Sequence, residues 1–189
     1  MTISAVLLAG GKSRRMGEDK ATILFRNVPL WEIQLGLLRQ LQPEELLISA
    51  QIDPPWRPAD IQFVADEEPS RGPLSGIAAA LSQIKTRHLL ALAIDMPFMT
   101  ENYLRRLCQL AKPNRGVVPL MEDRFEPLAA IYPHEIGQDV IATLSGNDFS
   151  LQSLVARLIA ANKLKPVQVS KGEKALFRNL NEPHDLESR

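Results

Sequence analysis

An apolar run, Ala5, Val6, Leu7, Leu8 and Ala9, stops at the adjacent glycines Gly10 and Gly11, and Lys12, Arg14, Arg15 and Lys20 follow within nine residues. Paired glycines let the backbone take φ > 0 and approach a ligand closely, so that main-chain N–H groups point at phosphate oxygens or a nucleobase edge. The four cations supply the matching charge. The segment is neither a P-loop, because Gly17 is followed by Glu18 rather than by Lys and Ser/Thr, nor a GxGxxG fingerprint, because Gly10 and Gly11 are adjacent. The plain alternative is a glycine turn under a solvated basic face. Four cations directly after a buried strand favour an anion-binding loop.

Two carboxylates stand at the ends of other apolar runs. Asp95 follows residues 89–94 and precedes Met96-Pro97, where an unpartnered charge is costly; Asp66 follows residues 61–65. Either is also readable as a turn or helix cap. Beside a basic loop, two carboxylates suit Mg²⁺, which takes one or two of them, keeps several waters and fills its other positions with substrate phosphates. His88, His134 and His184 have no metal-ligand spacing and read as surface residues. Cys108 is the only cysteine, which excludes an intrachain disulfide and a cysteine metal cluster, fits a reducing cytosol, and places it on the apolar side of a helix. No serine sits in a GxSxG elbow. Metal-assisted transfer of a phosphate-bearing group therefore fits better than a protein nucleophile.

The elements that must position these residues alternate between strand and helix. Short apolar runs at residues 46–50, 61–65, 89–94, 117–118 and 167–169 read as strands, and residues 124–133 as an extended segment. Helical spacing covers residues 30–41, 77–84, a stretch capped by Thr100, 136–144 and 151–161. Pro29 stands at the start of the first helix and Pro43 beyond its end. This pattern predicts an α/β fold with a mostly parallel sheet covered on both faces. In such sheets ligands bind outside the carboxyl ends of the strands, so the Gly10 loop, Asp66 and Asp95 should share one edge. At 189 residues the chain suits a single domain, residues 1–189. Lys+Arg and Asp+Glu both total 22, leaving no net charge to attract nucleic acid or an anionic membrane. No apolar run is long enough to span a bilayer, and a soluble, cytoplasmic protein is expected. Trp56, between prolines, marks either a partner surface or a packed loop anchor.

Five stretches in order resemble the molybdenum cofactor guanylyltransferases: Leu8-Ala9-Gly10-Gly11 with Ser13 to Gly17 and Asp19-Lys20; Gly72-Pro73-Leu74-Ser75-Gly76; Asp95-Met96-Pro97-Phe98; Glu126 to Tyr132; and Asn179-Leu180-Asn181-Glu182-Pro183. The resemblance covers nearly the whole chain and implies a Rossmann-like, three-layer nucleotidyltransferase fold. It further implies that GTP and molybdopterin react with Mg²⁺ to give molybdopterin guanine dinucleotide and pyrophosphate. By position, Leu8, Ala9, Gly10 and Gly11 would meet the guanine and ribose, and Gly76 and Asp66 would also contact the nucleotide. Arg15 and Lys20 would hold the triphosphate, Asp95 would bind the metal, and Asn179 and Asn181 would lie on the pterin side. Arg15, Lys20 and Asp95 would be the catalytic residues. Where the family often has Asn after its second strand this chain has Ser49. A cytidylyltransferase for the same pterin is the nearest alternative, and the double glycine favours guanine; a non-catalytic nucleotide-binding partner is a further one. A molybdenum-insertion protein or a recipient molybdoenzyme is a candidate protein partner. Residues 120–126 and 146–150 are candidate loops on the second-substrate side.

Overall fold

The computed structural model describes residues 2–10, 19–66 and 69–180. In chain order the strands are β1 (Ser4–Leu8), β2 (Leu24–Phe25), β3 (Val28–Pro29), β4 (Glu45–Ala50), β5 (Gln62–Ala65), β6 (His88–Ala93), β7 (Gly116–Met121), β8 (Arg124–Phe125), β9 (Ala129–Pro133) and β10 (Leu164–Gln168). The helices are α1 (Leu30–Gln40), α2 (Pro73–Gln83), α3 (Glu101–Leu110), α4 (Gly137–Leu144) and α5 (Leu151–Ala160). The main sheet runs β10-β7-β9-β6-β1-β4-β5, with β8 hydrogen-bonded to β7 and the β2–β3 pair standing apart. β1 pairs in parallel with β4 and β6, β4 with β5, and β10 with β7.

Both faces of this sheet are covered, and the central strands divide their side chains between two cores. Ala5 and Leu7 of β1 and Leu90 and Leu92 of β6 belong to one cluster, which includes Leu35 and Leu38 of α1 and Leu104 and Leu107 of α3. Val6, Leu8, Leu89 and Ala91 point the other way, into a cluster with Leu74 and Ile77 of α2, Val140 of α4 and Leu154 of α5. That alternation explains why the strands read as unbroken apolar runs: each face meets helices. The result is the expected three-layer, mostly parallel α/β architecture.

The structure departs from the sequence reading at two places, the start of α2 and His88, and completes it at two others, the direction of β9 and the place of Trp56. β9 runs antiparallel to both β6 and β7. Residues 122–128, which join β7 to β9 and include β8, are too few for the crossover that a parallel neighbour requires. α2 starts at Pro73 rather than at residue 77, because proline at the first helical position needs no N–H and brings a helical φ. His88 is not on the surface: it is the first residue of β6, 1% exposed, and its Nε2 donates to the Lys112 carbonyl at 2.9 Å. Trp56 is a loop anchor, stacked on Trp31 with centroids 5.6 Å apart while its Nε1 donates to Asp19 Oδ2 at 2.9 Å. Among the described residues, no helix is long and apolar enough to cross a membrane.

Candidate active site

The carboxyl ends of β1, β4, β5 and β6 lie side by side, so the residues that follow them share one edge. Ala9 and Gly10 both donate their N–H groups to the Ser49 carbonyl, at 2.9 and 3.1 Å, which ties the exit of β1 to the end of β4. The Asp66 N–H bonds the Ala50 carbonyl at 3.0 Å and fixes the exit of β5 one step further out. On the other side, the Ile94 N–H reaches the Leu8 carbonyl at 3.2 Å and sets Asp95 beyond β6. Register therefore brings Gly10, Ser49, Asp66 and Asp95 together.

Within this edge lies a tight cradle. Ser49 Oγ donates to Asp66 Oδ1 at 2.5 Å. A Cβ on Gly10 would stand 2.7 Å from Asp66 Oδ2, and one on Gly76 would stand 2.5 Å from Ser49 Oγ and 2.9 Å from Leu8 Cδ2. Glycine at both positions is thus required by space, since any side chain would displace Asp66 or its partner. Asp66 is 7% exposed. Burial raises its carboxyl above the usual range, opposed by hydrogen bonds from Ser49 and Ser70. The neighbouring loop is held on α2 by the Arg71 N–H, which donates to Ser75 Oγ at 2.9 Å. Leu8 is buried in the core, its side chain against Gly76 and its carbonyl taken by the Ile94 N–H.

Lys20 reaches the edge from a one-turn 3₁₀ helix (Lys20–Thr22) capped by Asp19, whose Oδ1 accepts from the Ala21 N–H at 3.0 Å. Its Nζ donates to Asp95 Oδ2 at 2.7 Å, and both side chains are about one-fifth exposed. Asp95 is held from behind as well, because its carbonyl accepts from the Leu180 N–H at 3.0 Å. Oδ1 of Asp95 has no hydrogen-bond partner among the described residues. A partly open carboxylate beside an ammonium group can bind polyphosphate and share a divalent cation with it.

Beside Asp95 opens a pocket of about 720 Å³. Met96, Asn179, Glu126, Phe125, Phe149 and Gln152 are among its lining residues. Residues from both candidate second-substrate loops, and Asn179, therefore line one cavity. Arg15 and Gly11 fall in residues 11–18, and Asn181 in 181–189, outside the described residues. Sequence reasoning missed the Ser49–Asp66 bond and the role of Trp56 behind Asp19, and it placed Glu126 only as the last residue of a candidate second-substrate loop. Glu126 did carry a signal, standing at the head of one of the five ordered stretches.

Comparison with known proteins decides the family. The sequence model of the MobA-like NTP transferase domain matches residues 5–166. The chain belongs to the MobA-like NTP transferase family. The chain is 33% identical over 186 residues to a probable molybdenum cofactor guanylyltransferase of Opitutus terrae, covering 97% of this chain and 92% of that one. To the protein of the same name from Methanothermobacter thermautotrophicus it is 32% identical over 196 residues, covering 97% and 96%. Among solved structures, the molybdopterin-guanine dinucleotide biosynthesis protein A of Archaeoglobus fulgidus superposes with a TM-score of 0.75 at 21% identity, covering 97% of this chain and 95% of that one. A 2-C-methyl-D-erythritol 4-phosphate cytidylyltransferase from Thermus thermophilus gives 0.71 at 18% identity over 99% and 96%. These likenesses establish a shared nucleotidyltransferase fold. As a MobA-like NTP transferase the chain is a nucleotidyltransferase, and the edge assembled from β1, β4, β5 and β6 is its candidate nucleotide site.

Proposed function

We propose that this protein transfers GMP from GTP to the terminal phosphate of molybdopterin, releasing pyrophosphate and forming molybdopterin guanine dinucleotide. The observation that carries the reading is the Lys20–Asp95 pair, 2.7 Å apart, set between the Gly10–Asp66 cradle and the pocket beside Met96. Relatives covering 97% of the chain bear the guanylyltransferase name, which supports the same choice of nucleotide and acceptor.

The attacking group would be a phosphate monoester, largely ionised at neutral pH because its second pKa is about 6, so the protein need not supply a general base. What the protein must do is hold two anions together. Lys20 would neutralise charge on the triphosphate and on the departing pyrophosphate, aided by Arg15 from the basic loop. Asp66, fixed by Ser49, would accept from the N–H groups of the guanine edge, and the main chain at Leu8 to Gly11 would approach the nucleoside. Among the described residues Asp95 Oδ1 has no hydrogen-bond partner, and such a carboxylate would suit Mg²⁺, which takes one or two of them and fills its other positions with waters and phosphates. When bound there, Mg²⁺ supplies charge neutralisation on the phosphates.

Titration calorimetry with GTP, CTP and ATP, each with and without Mg²⁺, followed by pyrophosphate release in the presence of molybdopterin, tests this reading. Selective, Mg²⁺-assisted GTP binding and molybdopterin-dependent pyrophosphate release are expected. Preference for CTP would move the protein to cytidylyl transfer, and nucleotide binding without any pyrophosphate release would make it a non-catalytic nucleotide binder.

A further inference from the structure

Among the described residues, the pocket beside Asp95 is lined by one acidic side chain, Glu126. Glu126 is half-buried at the junction of β8 and β9, and its main chain is fixed on both sides: its N–H donates to the Pro119 carbonyl at 2.9 Å and its carbonyl accepts from the Ala129 N–H at 3.3 Å. The following residue is held by Tyr132, whose hydroxyl donates to the Pro127 carbonyl at 2.7 Å. The side chain therefore projects from a rigid base. Its carboxylate has no hydrogen-bond partner among the described residues. Arg124 opposes by charge the burial that raises the carboxyl.

Beside Arg124 and Asn179, two other polar groups on the wall are occupied. Gln152 exchanges both of its amide bonds with the Phe125 main chain, at 3.1 and 2.8 Å. Ser150 caps α5 by accepting from the Ser153 N–H at 3.4 Å. Around them the lining is apolar and aromatic, with Met96, Met121, Phe125 and Phe149. Such a cavity suits a flat heterocycle, and a carboxylate offers two acceptors side by side to a pair of parallel N–H donors. A 2-amino-4-oxopteridine presents that pair at its ring N3–H and its 2-amino group. Met96 and Asn179, chain neighbours of Asp95 and of Leu180, also line the cavity, which sets it next to the Lys20–Asp95 pair.

We infer that Glu126 is the specificity-determining residue for the acceptor, reading the 2-amino-4-oxo edge of a pterin held between the aromatic walls of this pocket. The inference deepens the proposed guanylyl transfer and rests on it. Guanine carries the same donor pair, so the experiment separates the two sources.

The test is fluorescence titration of the whole protein with 6-hydroxymethylpterin and with the corresponding lumazine, which has a carbonyl in place of the 2-amino group, for wild type and Glu126→Gln. GTP affinity is measured alongside by calorimetry. The wild type should prefer the pterin by about 10- to 100-fold, the range expected when a buried charged acceptor loses a donor. Glu126→Gln offers one acceptor and one donor, and should bind the lumazine at least as well as the pterin, with GTP affinity unchanged. A merely structural role would weaken both ligands equally and leave their ratio alone. Equal binding of the two ligands by the wild type, an unaltered ratio in Glu126→Gln, absence of pterin binding at millimolar concentration, or loss of GTP rather than pterin affinity would each overturn the inference. If the wild type discriminates as described but forms no dinucleotide, Glu126 stands and the proposed transfer falls; dinucleotide formation without discrimination gives the reverse.

Discussion

Lys20 and Asp95 neutralise one another in the chain as it stands, and a triphosphate would redistribute that pairing. Lys20 can turn from carboxylate to phosphate oxygens, while Asp95, relieved of one partner, can share a cation with the same phosphates. Removing Asp95 thus takes away charge control where the transition state needs it. Asp95→Ala is expected to lower turnover by about 10²- to 10³-fold or more, as loss of one electrostatic stabiliser does, with an unchanged circular dichroism spectrum. Near wild-type rates would remove Asp95 from the mechanism. Lys20→Ala should weaken GTP binding as well as slow the chemistry, and an unaltered calorimetric GTP affinity would argue against its role. Ser49 acts one step further back. Ser49→Ala leaves Asp66 buried without its 2.5 Å donor, so GTP affinity should fall while the apo protein loses about 1–3 kcal/mol of stability, measured by urea unfolding. Ser49→Thr, which keeps the hydroxyl, should retain more of both than Ser49→Ala.

At the scale of elements, glycines in two helices separate packing from function. Gly36, in the middle of α1, has nothing within 4 Å of where a Cβ would stand, and Gly76, in the first turn of α2, has Ser49 Oγ at 2.5 Å and Leu8 Cδ2 at 2.9 Å. Gly36→Ala should therefore stabilise the protein by about 0.5–1 kcal/mol through helix propensity, with GTP affinity unchanged. Gly76→Ala must push α2 off the end of β1 or displace the Ser49 hydroxyl, and should cost about 1–3 kcal/mol and most of the GTP affinity. Equal thermal shifts in the two variants would refute the cradle as described. The helices and the parallel strands were legible in the sequence because their periodicity and proline positions are local properties. The Gly10 loop, Asp66 and Asp95 could be placed on one edge for the same reason, since that follows from parallel connectivity alone. What stayed hidden depends on contacts between distant segments. Nothing near Lys20 indicates that its partner lies 75 residues away. Nothing near Ser49 indicates that it, rather than water, would hold Asp66. The reversal of β9 is a consequence of connection length, and the burial of His88 follows from a strand that starts one residue earlier than its apolar run.

Across the whole molecule, nucleotide chemistry and acid sensitivity sit at opposite ends of the sheet. The amino-terminal edge is closed by polar contacts among distant segments: Ser4 Oγ donates to Glu45 Oε2 at 2.6 Å, and Thr86 Oγ1 donates to the His88 carbonyl at 2.9 Å. Two groups titrate there: Glu45, whose burial is outweighed by hydrogen bonds from Ser4 and Lys85 that hold its carboxyl below the ordinary value, and His88, whose ordinary value lies closer to neutrality. Its Nε2 donates to Lys112, and its Nδ1 is buried with no partner among the described residues, so protonation would place an unpaired N–H in the interior. Burial lowers its pKa from the ordinary 6.5, with the nearby Arg87 in the same direction and with Glu135 and the Lys112 carbonyl opposing. Above that ordinary value both folded and unfolded chains hold a neutral ring. As pH falls below it the unfolded chain takes up a proton that the folded chain refuses, and stability is lost at up to about 1.4 kcal/mol per pH unit until the folded pKa is reached. Asp66 and Glu126, both raised by burial, act in the opposite sense: each favours the folded state at pH below its unfolded value, and that contribution disappears as pH rises through the folded one. The difference between wild type and a single variant isolates one group from the others. His88→Gln retains a donor for the Lys112 carbonyl and removes the titration, so its Tm should fall less than that of wild type between pH 7 and pH 5, while GTP affinity at neutral pH stays the same. Parallel Tm curves for the two proteins would show that the ring at the base of β6 does not set the acid sensitivity of the fold.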